Sequence, residues 1–350
     1  MTADPLLVET IERLLGSVSD QAETECAESS DGWSAATWEA LAEVGFTRVG
    51  LPESLGGAGG TLADLGAIVR ATGAHAASVP LAETAMLGGW LLAEAGLDVP
   101  PGPVTAVPSI DSRRTDRGLE LNGRVAWGRQ AERVAMITTT GDGIHALSSH
   151  GIVVSLRADQ ITVTHGTNLA GEARDQVTVT APRAEWETAP LPDQAARMLR
   201  LRGSLSRSLM AAGALSAIAR ITVEYTGDRR QFGQPVARFQ AVQQHLVTVA
   251  QSAAKAEMAA AVALSAVAAG GGHDEVAAAR VVVDDAITAG TRAAHQAHGA
   301  MGVTREYRLH QFTRRLWSWQ HEWGTTREWR RGLGTSAVAR GADDLFTLVR

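Results

Sequence analysis

Cysteine and lysine are nearly missing from this sequence. Cys26 is the only cysteine in 350 residues, so an intrachain disulfide and a cysteine-based zinc site are both excluded. Lys255 is the only lysine, and the other 31 of the 32 basic residues are arginine. Beside abundant alanine this reads as high-GC codon usage and assigns no function. A strong charge of either sign is also absent: the formal net charge of −6 argues against a dedicated nucleic-acid binder. The most apolar long stretch, Met258–Ala269, is mostly alanine and too short to span a bilayer. The N-terminal stretch MTADPLLVETIERLLG has acids where a signal peptide carries a positive region. These absences predict a soluble, cytoplasmic protein with no membrane and no nucleic-acid partner. No phosphate-binding loop and no Gly-x-Gly-x-x-Gly between a strand and a helix is present, so a Rossmann cofactor site has no support. No repeat of 20–50 residues is visible, and no metal site is expected.

What is present suits a folded chain of two or three domains: 45% apolar and 20% charged residues. Residues 1–98 read as a helical domain. Leu6, Leu7, Ile11, Leu14 and Leu15 share a face at a period near 3.6. Ser34 can cap a helix through Trp38, Leu41 and Val44, with Gly45 as its stop. A loop follows at Pro52 and Gly56–Gly60, then helices at Thr61–Thr72 and Ala82–Ala95. Residues 99–190 read as a small antiparallel β domain, with short runs at Leu119–Leu121, Val134–Thr139, Gly151–Leu156, Gln160–Thr164 and Gln176–Thr180. His145, His150 and His165 lie there without ligand-like spacing and read as surface or packing residues. Residues 191–350 return to helix: Asp193–Tyr225, Phe239–Ala269, Glu275–Gly299 with Asp274 as a candidate cap, Leu309–Trp319, and more after Thr325. The order predicts an α+β chain with segregated segments.

Two stretches resemble one family. Arg229-Arg-Gln231-Phe232-Gly233-Gln-Pro235-Val-Ala-Arg-Phe239-Gln240 is similar to the Arg-x-Gln-Phe-Gly-x-Pro motif of acyl-CoA dehydrogenases. Gln296-Ala-His298-Gly299-Ala300-Met-Gly302 is similar to that family's Gln-x-x-Gly-Gly-x-Gly flavin-binding segment. Leu51-Pro52-Glu53-x-x-Gly56-Gly57-x-Gly59 also matches, so the resemblance spans nearly the whole chain. It implies an acyl-CoA dehydrogenase fold: N-terminal helical domain, middle antiparallel β domain, C-terminal four-helix bundle. It also implies FAD, an acyl-CoA substrate, and electron-transfer flavoprotein as acceptor. In the family a carboxylate removes the α-proton while the β-hydride passes to the flavin, giving a trans-2-enoyl-CoA. By the same resemblance, Arg229, Gln231, Phe232, Gln296, Gly299, Ala300, Gly302, Trp127 and Thr325 are candidate FAD contacts. A planar guanidinium at Arg229 suits a pyrophosphate. Phe232 offers an apolar face, and Gly299 and Gly302 let backbone approach a ligand.

The match is uneven. Residues 104–110 carry no trace of the family's Thr/Ser-Glu-Pro-type loop. In Asn122-Gly-Arg-Val-Ala-Trp127-Gly-Arg129, Trp127 stands at the family's tryptophan, but Arg129 takes the hydroxyl slot that meets flavin N5. Arginine cannot accept a hydrogen bond; stabilising an anionic flavin, facing substrate and lying at the surface all stay open. The base position falls at Trp323, counted without gaps from Gln296, and Glu322 stands one residue early. One residue is about 100° of rotation on a helix. The family's other base position, on the helix before Arg229, falls near Gly203, among Arg202, Ser204 and Ser206. Glu322 is therefore the candidate catalytic residue. Trp317, Trp319, Trp323 and Trp329 read as core, subunit interface or acyl-pocket wall. The seven arginines between Arg305 and Arg331 read as a solvated face, or as binders of CoA phosphates or a partner.

A chain that keeps one half of the motif set and loses the other resembles the short subunits of actinobacterial heteromeric (α2β2) acyl-CoA dehydrogenases. That resemblance implies a homologous partner subunit and a steroid-derived acyl group. The alternatives are a self-sufficient homo-oligomer using Glu322, and a non-catalytic structural subunit.

Overall fold

The computed structural model describes residues 2–28, 32–107, 111–115, 118–139, 151–179 and 181–341. Two compact units emerge. One comprises residues 2–72 and 77–203; the other comprises 73–76 and the chain from 204 onward.

The first unit opens with α1 (Pro5–Glu28) and α2 (Ala35–Glu43). Ile11 and Leu15, one helical turn apart, are fully buried. Leu6 faces solvent, because its step from Leu7 rotates it off that stripe. Ser34 caps α2 as its sequence position suggests: the Thr37 amide donates to Oγ at 3.3 Å. Gly45 stops it in the left-handed region, φ 78°. Helix α3 (Leu62–Ala74) starts from Thr61, whose hydroxyl and amide both donate to Asp64. The helix expected over Ala82–Ala95 is split. Residues 82–88 form a π-helix, and a short α4 (Gly89–Glu94) completes it.

The strands are β1 (Val104–Ala106), β2 (Asp111–Thr115), β3 (Gly118–Ala126), β4 (Arg133–Thr139), β5 (Gly151–Arg157), β6 (Ile161–Thr164), β7 (Arg174–Val179) and β8 (Glu187–Pro190). They form two four-stranded sheets, β1-β4-β5-β8 and β2-β3-β7-β6. Pairing is antiparallel except for the three-residue contact of β1 with β4. Val125, Val134, Met136, Val154, Leu156 and Val177 build the core of this region. Along β7 the inward positions are Asp175, Val177 and Val179, so the alternation puts a carboxylate inside. His165 is exposed, whereas His145 and His150 lie outside the described residues.

Helix α5 (Ala195–Asp228) runs from the first unit into the second. A hairpin of β9 (Arg230–Gln231) and β10 (Gln234–Pro235) leads to α6 (Gln240–Ala268), α7 (His273–His298), α8 (Leu309–Trp319) and α9 (Thr326–Arg340). The small residues Ala256, Ala260 and Ala263 of α6 are fully buried, as are Val276, Ala277 and Val283 of α7. Asp274 does not cap α7. Gly272 takes that place in the left-handed region, and Asp274 holds Ser336 and Arg340 of α9.

Candidate functional site

A groove of about 380 Å³ opens in the second unit where the end of α5, the β9–β10 hairpin, the start of α6 and the end of α7 converge. Its walls include Arg229, Gln231, Phe232, Gln296, Gly299 and Ala300. Six of the ten residues expected at the site therefore meet in one place, although the two motifs are more than 60 residues apart.

Local structure explains each position. Phe232 and Gly233 form the hairpin tip with φ of 50° and 80°, the pattern of a type I′ turn. A left-handed phenylalanine is strained, and such residues persist where the surrounding chain demands them. The tip lifts the ring out to 92% exposure, its centroid 6.1 Å from that of the Phe239 ring in an edge-to-face pair. The Val236 amide donates to the Arg229 carbonyl at 2.8 Å, closing the hairpin base. The Arg229 side chain is exposed and makes no hydrogen bond or ion pair among the described residues. Helix α7 ends at Gly299 (φ 61°, ψ −138°), and no atom lies within 4 Å of where a Cβ would be.

Gly302 sits behind the groove. A Cβ there would meet the His298 Cβ at 2.9 Å, so glycine lets the turn after α7 close on the helix. Sequence reasoning missed the stack beneath this turn. His298 lies 4.5 Å from the Tyr225 ring and 4.9 Å from the Tyr307 ring, the only two tyrosines in the chain. Its Nδ1–H donates to the Ala294 carbonyl at 2.8 Å, since a carbonyl can only accept. Burial holds His298 below the ordinary imidazole value, so the ring is neutral at pH 7. The scarcity of tyrosine, with both copies flanking motifs, was the available signal.

The remaining candidates lie elsewhere. Thr325 caps α9, forming a reciprocal box with Glu328, and does not line the groove. Trp127 lies in the first unit, buried at φ 60°, with its amide donating to the Ala173 carbonyl. Arg129 is turned inward and not at the surface. Its Nε and Nη2 bind the fully buried Asp175, at 2.6 Å in the shortest contact, and Nη2 also reaches the Gly166 carbonyl. Two parallel N–H···O bonds to the carboxylate and one to the carbonyl engage at least three of the guanidinium's five donors.

Glu322 is likewise occupied. Its Oε2 accepts from Nε of Arg207 at 2.6 Å, and the arginine side chain is 1% exposed. The neighbouring turn is tied down on both sides. Arg280 donates to the Trp319 carbonyl, Gln320 to the Asp284 carbonyl, and Thr326 to the Asp284 carboxylate. Trp323 follows at φ 60° and Gly324 at φ 109°. Trp319 and Trp329 are core residues, whereas Trp317 is partly exposed and stacks on His295.

Comparison with known proteins bears on the family and the fold. Residues 6–98 match the N-terminal domain of acyl-CoA dehydrogenases, and residues 200–331 match their C-terminal domain. The chain belongs to the acyl-CoA dehydrogenase family. It is 28% identical to the acyl-CoA dehydrogenase IpdE2 of Mycobacterium tuberculosis over 320 residues, 89% of each protein. In fold it resembles a chain of the ChsE4-ChsE5 complex of Mycobacterium tuberculosis (TM-score 0.80, 21% identity, 96% of this chain and 97% of that one). It also resembles butyryl-CoA dehydrogenase from Megasphaera elsdenii (TM-score 0.81, 16% identity, 97% and 99%). The family is one of flavoprotein oxidoreductases with FAD as cofactor. Among the described residues no helix is long and apolar enough to cross a membrane.

The groove residues fit part of an FAD. An unpaired cation at Arg229 suits a diphosphate, the exposed Phe232 ring suits a flat heterocycle, and the space over Gly299 admits close backbone contact.

Proposed function

We propose that this chain is a subunit of an FAD-dependent acyl-CoA dehydrogenase and contributes half of a flavin site to a homologous partner subunit. FAD, when bound, supplies the hydride acceptor. Arg229 neutralises its diphosphate, Phe232 covers a ring face, and Gln231 and Gln296 orient it by side-chain amides that both donate and accept. The partner supplies the base that removes the α-proton and the contacts near the reacting flavin atoms. The complex is a heterotetramer acting on a steroid-derived acyl-CoA, with electron-transfer flavoprotein as acceptor. The likeness to a chain of a two-protein complex, ChsE4-ChsE5, supports the heteromeric part of this reading.

One contrast carries this reading. The groove is open and its Arg229 side chain makes no hydrogen bond or ion pair among the described residues, while Arg129, in the hydroxyl slot, and Glu322, one residue before the base slot, are bound internally. Arg129 is bound to Asp175 and Glu322 to Arg207. A general base must reach the proton that it removes, and geometry precedes pKa. In the self-sufficient reading Glu322 acts with one carboxylate oxygen already bonded to a buried guanidinium.

Co-expression with the neighbouring homologous gene tests the proposal. One FAD per two chains, with bleaching by acyl-CoA that depends on the partner's carboxylate, is the expected result. Bleaching by this chain alone contradicts it.

A further inference from the structure

Arg202 has no part in the groove or in the two internal ion pairs. It lies near the start of α5 and is 7% exposed. Its Nε donates to the Met86 carbonyl at 2.8 Å, within the π-helix of residues 82–88. Its guanidinium plane lies over the Trp90 ring, 4.7 Å from the centroid. Among the described residues these are its contacts. The exposed Glu94 acts on it only through the longer-range field. Burial pushes its pKa down to about 10, which still leaves it charged at pH 7.

A buried cation without a bonded carboxylate is costly, by several kcal/mol in real proteins. Three internal arginines have such partners: Arg207 has Glu322, Arg280 has Asp284 and Arg129 has Asp175. Arg202 departs from that pattern. With Nε bound to the Met86 carbonyl and the guanidinium carbon over the Trp90 ring, the two Nη groups are left as a fork. Such a fork matches two oxygens of an oxoanion. The π-helix is a second, independent signal, since these rare turns are frequent at functional sites.

We propose that Arg202 anchors an oxoanion site in the first unit, with Nη1 and Nη2 donating to two oxygens of the ligand. Resting on the acyl-CoA reading, the anion has two possible sources: a carboxylate on the far end of the acyl group, or a phosphate of CoA.

The test is isothermal titration of the full chain in its purified assembly with CoA and two CoA thioethers of equal length. One thioether ends in a methyl group and the other in a carboxylate; neither can be dehydrogenated. Tighter binding of the carboxylate analogue by about tenfold or more supports the first source, provided Arg202→Gln removes that preference and leaves the methyl analogue within twofold. A similar loss for all three ligands in R202Q assigns a CoA phosphate. Affinities unchanged within twofold in both R202Q and Arg202→Lys overturn the proposal. If no CoA compound binds the wild type, the acyl-CoA reading fails on its own. Inorganic phosphate and glutarate then decide as thermal-shift probes. A rise in Tm lost in R202K keeps the site, and no rise overturns it. R202K also serves if R202Q does not fold, since it keeps the charge but not the fork.

Discussion

Glu322 and Arg207 stand 115 residues apart in sequence and 2.6 Å apart in space, carboxylate oxygen to guanidinium Nε. The pair ties the turn after α8 to the middle of α5. It gives Glu322 a structural task one residue before the place where sequence similarity puts a base. Removing the carboxylate takes an ion-pair partner away from a buried guanidinium. Glu322→Gln is expected to lower unfolding stability by about 3 kcal/mol, measured by urea denaturation. Arg207→Met combined with Glu322→Leu is expected to recover most of the loss. In the assembled enzyme, E322Q is expected to keep acyl-CoA bleaching within about tenfold, whereas loss of a true base costs 10²–10⁴-fold or more.

The exposed hairpin gives the opposite signature. Arg229→Ala removes a side chain with no internal bond, so Tm stays unchanged. FAD affinity of the assembly is expected to fall about tenfold or more, the size of one charge-assisted contact. Fluorescence titration of the deflavinated assembly measures it. A large Tm loss without an affinity change contradicts the role.

These two predictions also mark what the sequence could and could not reveal. The helices were legible because periodicity, Ser34, Gly45 and the Gly270–Gly272 stop are local signals. The groove was legible because its residues lie in two contiguous motifs. Strands β1, β2 and β8 were missed; β8 reads Glu-Thr-Ala-Pro, with no β-branched alternation beyond Thr188. The π-turn was missed because its residues suit an α-helix equally well. Arg129 was left open because its partner, Asp175, is 46 residues away. Pairings at that range leave no local pattern and are set by tertiary packing alone.

His298 and His295 give a pH dependence. Burial lowers both imidazole pKa values in the folded chain. Unfolded, each takes up a proton near pH 6.5. In the window below that value the unfolded chain binds more protons, so stability is full above about pH 6.5 and falls as pH drops toward the folded values. Tm measured from about pH 7.5 to 5.5 should decline at the acid end. His298→Phe keeps the ring stack and is expected to make that decline shallower; an unchanged slope contradicts the assignment.

The Thr325–Glu328 box supplies a smaller test. The Thr325 amide donates to Glu328 Oε2 at 2.7 Å, and the Glu328 amide donates back to the Thr325 hydroxyl. Thr325→Ala is expected to cost about 1 kcal/mol in urea denaturation and to leave FAD content unchanged. Loss of flavin in T325A at constant stability would instead restore Thr325 as a cofactor contact.

The central claim is that this chain lends a flavin half-site and needs a partner for chemistry. The most direct measurement is FAD per chain and acyl-CoA-dependent bleaching, for the chain purified alone and with its homologous partner. A colourless, inactive chain alone and one FAD per pair of chains in an active complex are expected. A yellow chain that bleaches on its own with acyl-CoA contradicts it.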